Sequence, residues 1–131
     1  RETFNTIDYL DRAGIEYIAD WVLDDQPIEI STTEGAVISV PYTVETNDIT
    51  MMALQQHTSN EMFNRSKDQF DRLYIESSNS ARVMSVSLHM YLTGAPHRIK
   101  YLEEFIEYIQ GHDECVIMTG EEILDWYNTT L

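Results

Sequence analysis

Residues 82–98 read RVMSVSLHMYLTGAPHR, and this stretch decides the fold class. The apolar run Arg82–Leu88 is continuous enough to predict a strand that is buried on both faces. His89 follows the run, a loop comes next, and Pro96 is typical of the first turn of a helix. A strand, a loop and a helix in this order form one unit of an α/β fold. In such folds, titratable side chains at the carboxyl end of a strand are often catalytic.

The flanking sequence continues this alternation of helices and strands. The predicted elements are, in chain order, a helix over 2–12, a strand over 15–19, a hairpin from 28–30 and 36–40, a helix from 58 to about 77, a strand over 82–88, a helix from 96 to 111, a strand over 115–118 and a helix from 119 to about 126. We therefore predict an α/β fold with parallel strands, crossover helices and a small β-hairpin, in a single domain over 1–131.

Composition limits the partners of the chain. Eight basic and 23 acidic residues give a net charge of −15, which disfavours nucleic acid and anionic membranes as partners. No apolar stretch approaches the ~20 residues that cross a bilayer. Cys115 is the only cysteine, so no internal disulfide forms, and its apolar surroundings predict a core position. A reducing compartment such as the cytoplasm fits this cysteine usage.

The polar candidates each have a structural alternative. His89 is either a functional imidazole or a half-buried side chain that bonds a backbone carbonyl. Asp20 either caps a turn or pairs with His89. Asp24 and Asp25 precede Gln26-Pro27, which favours a surface turn over a metal site.

Two further polar groups stay open. Glu45, Asn47 and Asp48 either line a polar pocket, hold a cation or cap their loop. His97 and Arg98 are predicted in the first turn of a helix, where the helix dipole disfavours positive charge. They are either solvent-exposed or compensated by Glu45 or a ligand carboxylate.

Seven segments, in order, carry a resemblance to a known family. They are Arg1-Glu2-Thr3, Tyr17-Ile18-Ala19-Asp20-Trp21, Asp24-Asp25-Gln26-Pro27, Val40-Pro41-Tyr42-Thr43, Glu45-Thr46-Asn47-Asp48, Leu88-His89 with Gly94-Ala95-Pro96-His97-Arg98, and Thr119-Gly120-Glu121-Glu122-Ile123. Together they resemble the carboxyl-terminal half of a polysaccharide deacetylase domain, of the chitooligosaccharide deacetylase or carbohydrate esterase type. The subgroup with the greatest similarity contains allantoinase-like and peptidoglycan-deacetylase-like proteins.

The resemblance implies a fold and a chemistry. The fold would be a partial irregular (β/α) barrel. Many family members hold a divalent metal, usually zinc, with one aspartate and two histidines, and use a second aspartate as base. A histidine in a Leu-x-His or Leu-His motif protonates the leaving amine, and an aspartate beside a tryptophan tunes that histidine. Allantoinase-type members are thought to manage without the usual metal.

Carried over to this sequence, the resemblance assigns roles to four residues. His89 matches the general-acid histidine, and Asp20 matches the aspartate that would fix its tautomer. Trp21 matches the adjacent apolar wall, and with Tyr91 is predicted to bind substrate. The family often has proline after the histidine, where this sequence has Met90.

The metal and base motifs of the family are not matched. The Asp-Asp pair and the His-x-x-x-His motif belong to the amino-terminal half of the family's domain. The four histidines, His57, His89, His97 and His112, do not have that spacing. We therefore predict no metal or other cofactor for this chain, and a chain that carries only the acid half of a site.

Two functions follow as alternatives. The first is hydrolysis of a non-peptide carbon–nitrogen bond in a carbohydrate or a small amide or ureide, with the chain alone inactive. The second is a non-catalytic interaction domain that pairs with itself or with a separate amino-terminal half. The start at Arg1 suggests a processed or truncated product.

Overall fold

A computed structural model of the chain describes residues 2–21 and 23–130. The elements are α1 (Thr6–Arg12), β1 (Tyr17–Ile18), β2 (Ile28–Ser31), β3 (Ala36–Ser39), a π-helical segment (Ile49–Leu54), α2 (Glu61–Glu76), α3 (Ile99–Gln110) and α4 (Gly120–Asn128). They belong to two compact units. The first runs to Tyr42 and resumes at Met118, and the second is Thr43–Ile117.

The first unit is a small sheet with a helix on each face. The strand order is β1-β3-β2, with β1 parallel and β2 antiparallel to β3. Alternate residues of β3 point to opposite faces, as the pleat of a strand requires. Val37 packs with Ile7 of α1, whereas Ile38 packs with Leu124 of α4. The unit is therefore a three-layer α/β arrangement, and the predicted hairpin is confirmed.

The second unit is built on the pair α2 and α3. Phe70 of α2 lies edge-on to Phe105 of α3, with ring centroids 6.4 Å apart. The buried face of α3 centres on Phe105, whereas the next residue, Ile106, is 37% exposed. Pro96 was predicted in the first turn of this helix, but α3 begins at Ile99. Residues 89–98 instead form successive turns, which delay the helix.

Two predicted strands are wrong. Among the described residues, Arg82–Leu88 makes only an isolated parallel bridge, between Ser87 and Asn47, and 115–118 pairs with nothing. A strand exists only where a neighbour accepts its backbone hydrogen bonds, so an apolar run alone does not make one. Cys115 is half-buried rather than in the core, and burial raises the pKa of its thiol.

The structure confirms the α/β class but does not confirm the predicted barrel. In the described part of the chain the sheet has three strands, and only β1 and β3 are parallel. No helix in the described ranges is long and apolar enough to span a bilayer.

A capping box is present at one of the two helix starts predicted at residues 58 and 119. Thr119 forms one with Glu122: its hydroxyl accepts from the Glu122 N–H at 3.2 Å, and its own N–H donates to the Glu122 carboxylate at 2.7 Å. Thr58 does not, because α2 starts at Glu61 with Asn60 as N-cap, and the Thr58 hydroxyl donates to the Asn60 side chain.

This difference gives a matched pair of variants. We expect Thr119→Ala to lower the free energy of unfolding by about 1 kcal/mol, the usual cost of losing a side-chain N-cap. Thr58→Ala is the control and should cost clearly less, since no helix N–H depends on its hydroxyl. Urea denaturation measures both. Equal losses in the two variants would contradict the assignment of α4 as the capped helix.

Candidate functional site

The site is held by two segments of the second unit that run side by side. Residues 43–48 lie along 85–89 through four hydrogen bonds that involve side chains as well as backbone. The Thr43 N–H donates to the Ser85 hydroxyl at 2.7 Å, and the Thr46 hydroxyl donates to the Ser85 carbonyl at 2.6 Å. The Ser87 N–H donates to the Thr46 carbonyl at 3.2 Å, and the Asp48 N–H to the Ser87 carbonyl at 3.1 Å. This pairing brings Asp48 to His89.

Asp48 is a fully buried carboxylate at the centre of this arrangement. One of its oxygens lies 2.6 Å from Nδ1 of His89. The other accepts the His89 N–H at 2.7 Å and the Thr93 hydroxyl at 2.7 Å. The Thr93 N–H approaches the same oxygen at 3.4 Å. A buried charge requires such a set of partners, since each unmet lone pair would cost desolvation energy.

The hydrogen bonds decide the protonation of Asp48. Burial by itself would raise the pKa of this carboxyl, but the donors from His89 and Thr93 together hold it below its usual value. Asp48 is therefore ionised near neutral pH and can only accept hydrogen bonds. Nδ1 of His89 must then carry a proton, which leaves Nε2 as the ring nitrogen for chemistry.

A tight turn presents the imidazole. The Leu92 and Thr93 N–H groups both donate to the His89 carbonyl, at 2.9 and 3.1 Å. Gly94 permits this turn, because a Cβ atom at that position would lie 2.4 Å from the Met90 carbonyl oxygen. The turn thus places Thr93 on Asp48 while the side chain of His89 stays 36% exposed.

Exposed apolar and aromatic side chains surround the imidazole. The ring of Tyr91 lies edge-on to His89, with centroids 5.8 Å apart, and Tyr91 is 70% exposed. Met90, which stands where the family often has proline, is 91% exposed. Tyr91 therefore has the exposure and position that a substrate contact needs, and its role as one stays a prediction.

Asp20 and Trp21 belong to the first unit and have their own partner, Glu2. The Trp21 indole N–H donates to the Glu2 carboxylate at 2.9 Å, and the ring packs on the core of Ile18 and Val37. Partial burial, then the hydrogen bond and repulsion from Glu2, raise the pKa of Asp20. The structure gives His89 a carboxylate partner in Asp48, and the pairing of Asp20 with His89 stays a prediction.

Two of the other polar candidates accept hydrogen bonds from nearby backbone N–H groups. Asp24 accepts the Asp25 N–H at 2.7 Å, as the predicted surface turn requires. Asn47 accepts the Ile49 N–H at 2.9 Å and so caps the π-helical segment. Glu45 is exposed. Asp48, the third oxygen-bearing residue of this loop, contacts His89.

The described residues offer no ligand set for the zinc that the resemblance implies. Within 2–21 and 23–130, no three His, Cys, Asp or Glu side chains converge as metal ligands would. The one carboxylate that touches a histidine, Asp48, has its oxygens occupied by His89 and Thr93. These residues therefore do not fit a zinc ion. That the chain uses no metal stays a prediction.

Sequence reasoning missed Asp48 and Thr93 as partners of His89. Asp48 lies 41 residues before His89 in the chain, and no local pattern joins them. The available signal was weak: a cluster of side-chain oxygens over 45–48, and Thr93-Gly94 in the loop after His89. A π-helical segment after Asp48, of a kind that is often found at functional sites, has no sequence signature.

Comparisons with known proteins identify the family of the chain. No family model matches the chain. A curated Schizosaccharomyces pombe protein named "Putative polysaccharide deacetylase" is 33% identical over 110 residues, which are 79% of this chain and 33% of the relative. The crystal structure of a "probable Polysaccharide deacetylase" from Pseudomonas aeruginosa superposes on 98% of this chain with a TM-score of 0.87 and 33% identity.

The chain is a polysaccharide deacetylase-like domain. A solved allantoinase, Puue, has the same fold, with a TM-score of 0.90 and 30% identity over 99% of the chain. The deacetylase-like chain spans 44% of each of these two solved chains and a third of the S. pombe relative. The expected family resemblance is thereby confirmed.

The role of the Asp48 carboxylate can be tested with a single substitution. Asp48→Asn should move the His89 proton from Nδ1 to Nε2, because the amide then offers an N–H to Nδ1. It should also lower the free energy of unfolding at pH 7 by about 2 kcal/mol, as donors to a charged acceptor are lost. Nitrogen chemical shifts of the imidazole report the tautomer, and urea denaturation reports the stability.

The pH dependence of this loss has a definite sign. The pKa of Asp48 is lower in the folded protein than in the unfolded chain. Its stabilisation is therefore complete above about pH 4, the ordinary aspartate value, and is lost as the pH falls through the folded value. The difference in the free energy of unfolding between wild type and Asp48→Asn should therefore become smaller in acid. Asp68→Asn, at an exposed position of α2, is the control and should show no such difference.

Proposed function

We propose that this chain supplies the general acid of a hydrolase site that cleaves a non-peptide carbon–nitrogen bond, with His89 as the acid. The observation that carries the proposal is the 2.6 Å contact between His89 Nδ1 and the buried, ionised Asp48. It orients the ring, leaves Nε2 for the substrate and stabilises the imidazolium that a proton donor must form.

The chemistry that His89 would perform is protonation of the leaving nitrogen. Water adds its oxygen to the acyl carbon and gives one proton to a base that the rest of the active enzyme would supply, and the bond from that carbon to nitrogen breaks. Nε2 of the imidazolium gives its proton to the departing nitrogen, so that an amine leaves rather than an amide anion. His89 ends neutral and regains a proton from solvent. Asp48 stays ionised throughout and acts as a positioning residue.

The relatives suggest two substrate classes. Two of them carry the name polysaccharide deacetylase and one the name allantoinase. Both names denote hydrolysis of carbon–nitrogen bonds, in an N-acetyl sugar or in a cyclic ureide. We propose one of these classes for the site to which His89 belongs. Trp21 and Tyr91 are proposed substrate contacts, and Asp20 is the proposed carboxylate that pairs with His89 and tunes it.

The isolated chain should be inactive, because its described residues contain no metal ligand set and the amino-terminal Asp-Asp pair of the family has no match in the sequence. We expect no amine release from an N-acetylglucosamine pentamer and no turnover of allantoin. Hydrolysis of either compound that disappears in His89→Ala would overturn the inactivity. The folded state of both proteins is checked by circular dichroism.

A chimera tests the proposed acid in an active context. This chain replaces the superposed part of the P. aeruginosa relative, and the relative's own remainder supplies what the chain lacks. His89→Ala should lower kcat by a factor of about 10²–10⁴, the usual contribution of a general acid. Asp48→Asn should lower it less, and Asp20→Asn tests the proposed pairing of Asp20 with His89. A folded, active chimera that tolerates His89→Ala refutes the proposal.

A second candidate function is a non-catalytic domain that pairs with itself or with a separate amino-terminal half. One observation favours it. Val116 and Ile117 are 72% and 71% exposed, in a segment over 115–118 that pairs with no described strand. Apolar segments with unused backbone groups readily add a strand from another chain.

Sedimentation discriminates this candidate. At micromolar concentration we expect a dimer if the exposed segment is an interface between copies. Ile117→Lys should then give a monomer, whereas Leu54→Lys, at a residue that is 73% exposed in another segment, should leave the dimer intact. A wild-type protein that sediments as a monomer counts against self-pairing.

A further inference from the structure

Arg98 is an exception in the charge pairing of this protein. In the described part of the chain every other arginine contacts a carboxylate: Arg12 at 2.7 Å, Arg65 at 2.9 Å, Arg72 at 2.5 Å and Arg82 at 3.4 Å. Arg98 has no such contact with a described residue, although the chain carries 23 acidic side chains. Acidic side chains are thus abundant, but the Arg98 guanidinium contacts none of them among the described residues.

The guanidinium of Arg98 is also partly desolvated. Its Nε atom is buried and has no hydrogen-bond partner among the described residues, while the residue as a whole keeps part of its surface exposed. A buried donor without an acceptor opposes folding. The expectation that Arg98 is solvent-exposed is therefore wrong for Nε. Glu45, one expected partner, makes no ion pair with Arg98, and a ligand carboxylate stays the other alternative.

Arg98 stands on the same run of turns as His89. The Leu92 N–H donates to the His89 carbonyl at 2.9 Å, the Ala95 N–H to Leu92 at 3.2 Å and the Arg98 N–H to Ala95 at 2.8 Å. Arg98 then becomes the N-cap of the 12-residue α3. The amino end of a helix carries partial positive charge, so the helix adds to the attraction of an anion at this point.

We propose that Arg98 binds a carboxylate that the described residues do not supply. The two Nη groups of a guanidinium form a parallel pair of donors that fits the two oxygens of a carboxylate, and binding there would offset the desolvation of the buried Nε. A net charge of −15 repels anions at long range, so recognition depends on this short contact. The carboxylate belongs either to a small ligand or to another polypeptide segment. The proposal does not rest on catalysis by His89.

Nuclear magnetic resonance of the labelled chain tests the binding directly. Sodium acetate is the probe, and each arginine Nε–H gives its own signal. We expect a saturable shift of the Arg98 signal in the millimolar range, and none with sodium chloride at equal ionic strength. Arg72, whose side chain is 72% exposed and already paired with Glu76, is the internal control. No saturable shift overturns the proposal, and a larger response to inorganic phosphate overturns the choice of carboxylate.

The chimera described above separates the two sources. If another polypeptide segment supplies the carboxylate, the Arg98 signal is already displaced there and acetate has no effect. If a small ligand supplies it, acetate still shifts the signal. Both outcomes support binding at Arg98, and neither depends on hydrolysis by His89.

Stability gives an independent readout. Arg98→Met should leave the isolated chain as stable as wild type or more so, because it removes an unpaired buried donor. Arg65→Met is the matched control, since Arg65 bonds Glu61, Gln55 and the Glu45 carbonyl. It should lower the folding equilibrium constant roughly tenfold. An equal loss in Arg98→Met would show that Arg98 is a paired structural residue and overturn the proposal.

Discussion

The buried carboxylate of Asp48 is the interaction on which the candidate site depends. It accepts hydrogen bonds from the backbone and ring of His89 and from Thr93, and so ties residues 43–48 to the turn after residue 88. Regular strand pairing does not do this, because Asn47 and Ser87 make only an isolated bridge. The same charge therefore organises the backbone and sets the imidazole tautomer. Removing it would alter the fold and the chemistry of the site together.

A side chain of α2 holds the loop that carries Asp48. Arg65 of α2 bonds the Glu45 carbonyl and the Gln55 side chain, which lie on either side of Asp48 in the chain. It is held in turn by Glu61 on the same helix. Arg98 differs from Arg65. The Arg65 guanidinium joins a loop to a helix through its hydrogen bonds, whereas Nε of Arg98 is buried without an acceptor among the described residues. An arginine without a carboxylate partner in this acidic chain is therefore a better candidate for ligand binding than an arginine that is already paired.

The sequence predicted those features that depend on local chemistry. The hairpin and the start of α4 after its N-cap Thr119 both rest on neighbouring residues. The strands predicted over 82–88 and 115–118 failed because strand formation depends on a distant partner. The Asp48–His89 contact was missed for the same reason, since 41 residues separate its members. The family resemblance identified His89 and left its buried carboxylate unrecognised.

The two aspartates near the candidate residues differ in what they can do. Burial and the contact with Glu2 raise the pKa of Asp20, whereas donors from His89 and Thr93 lower that of Asp48. A carboxyl whose pKa is lowered keeps its charge through a reaction near neutral pH and cannot carry a proton between groups. Asp48 can therefore orient His89 but not replace it as an acid. His89 Nε2 therefore stays the proposed donor to the leaving nitrogen.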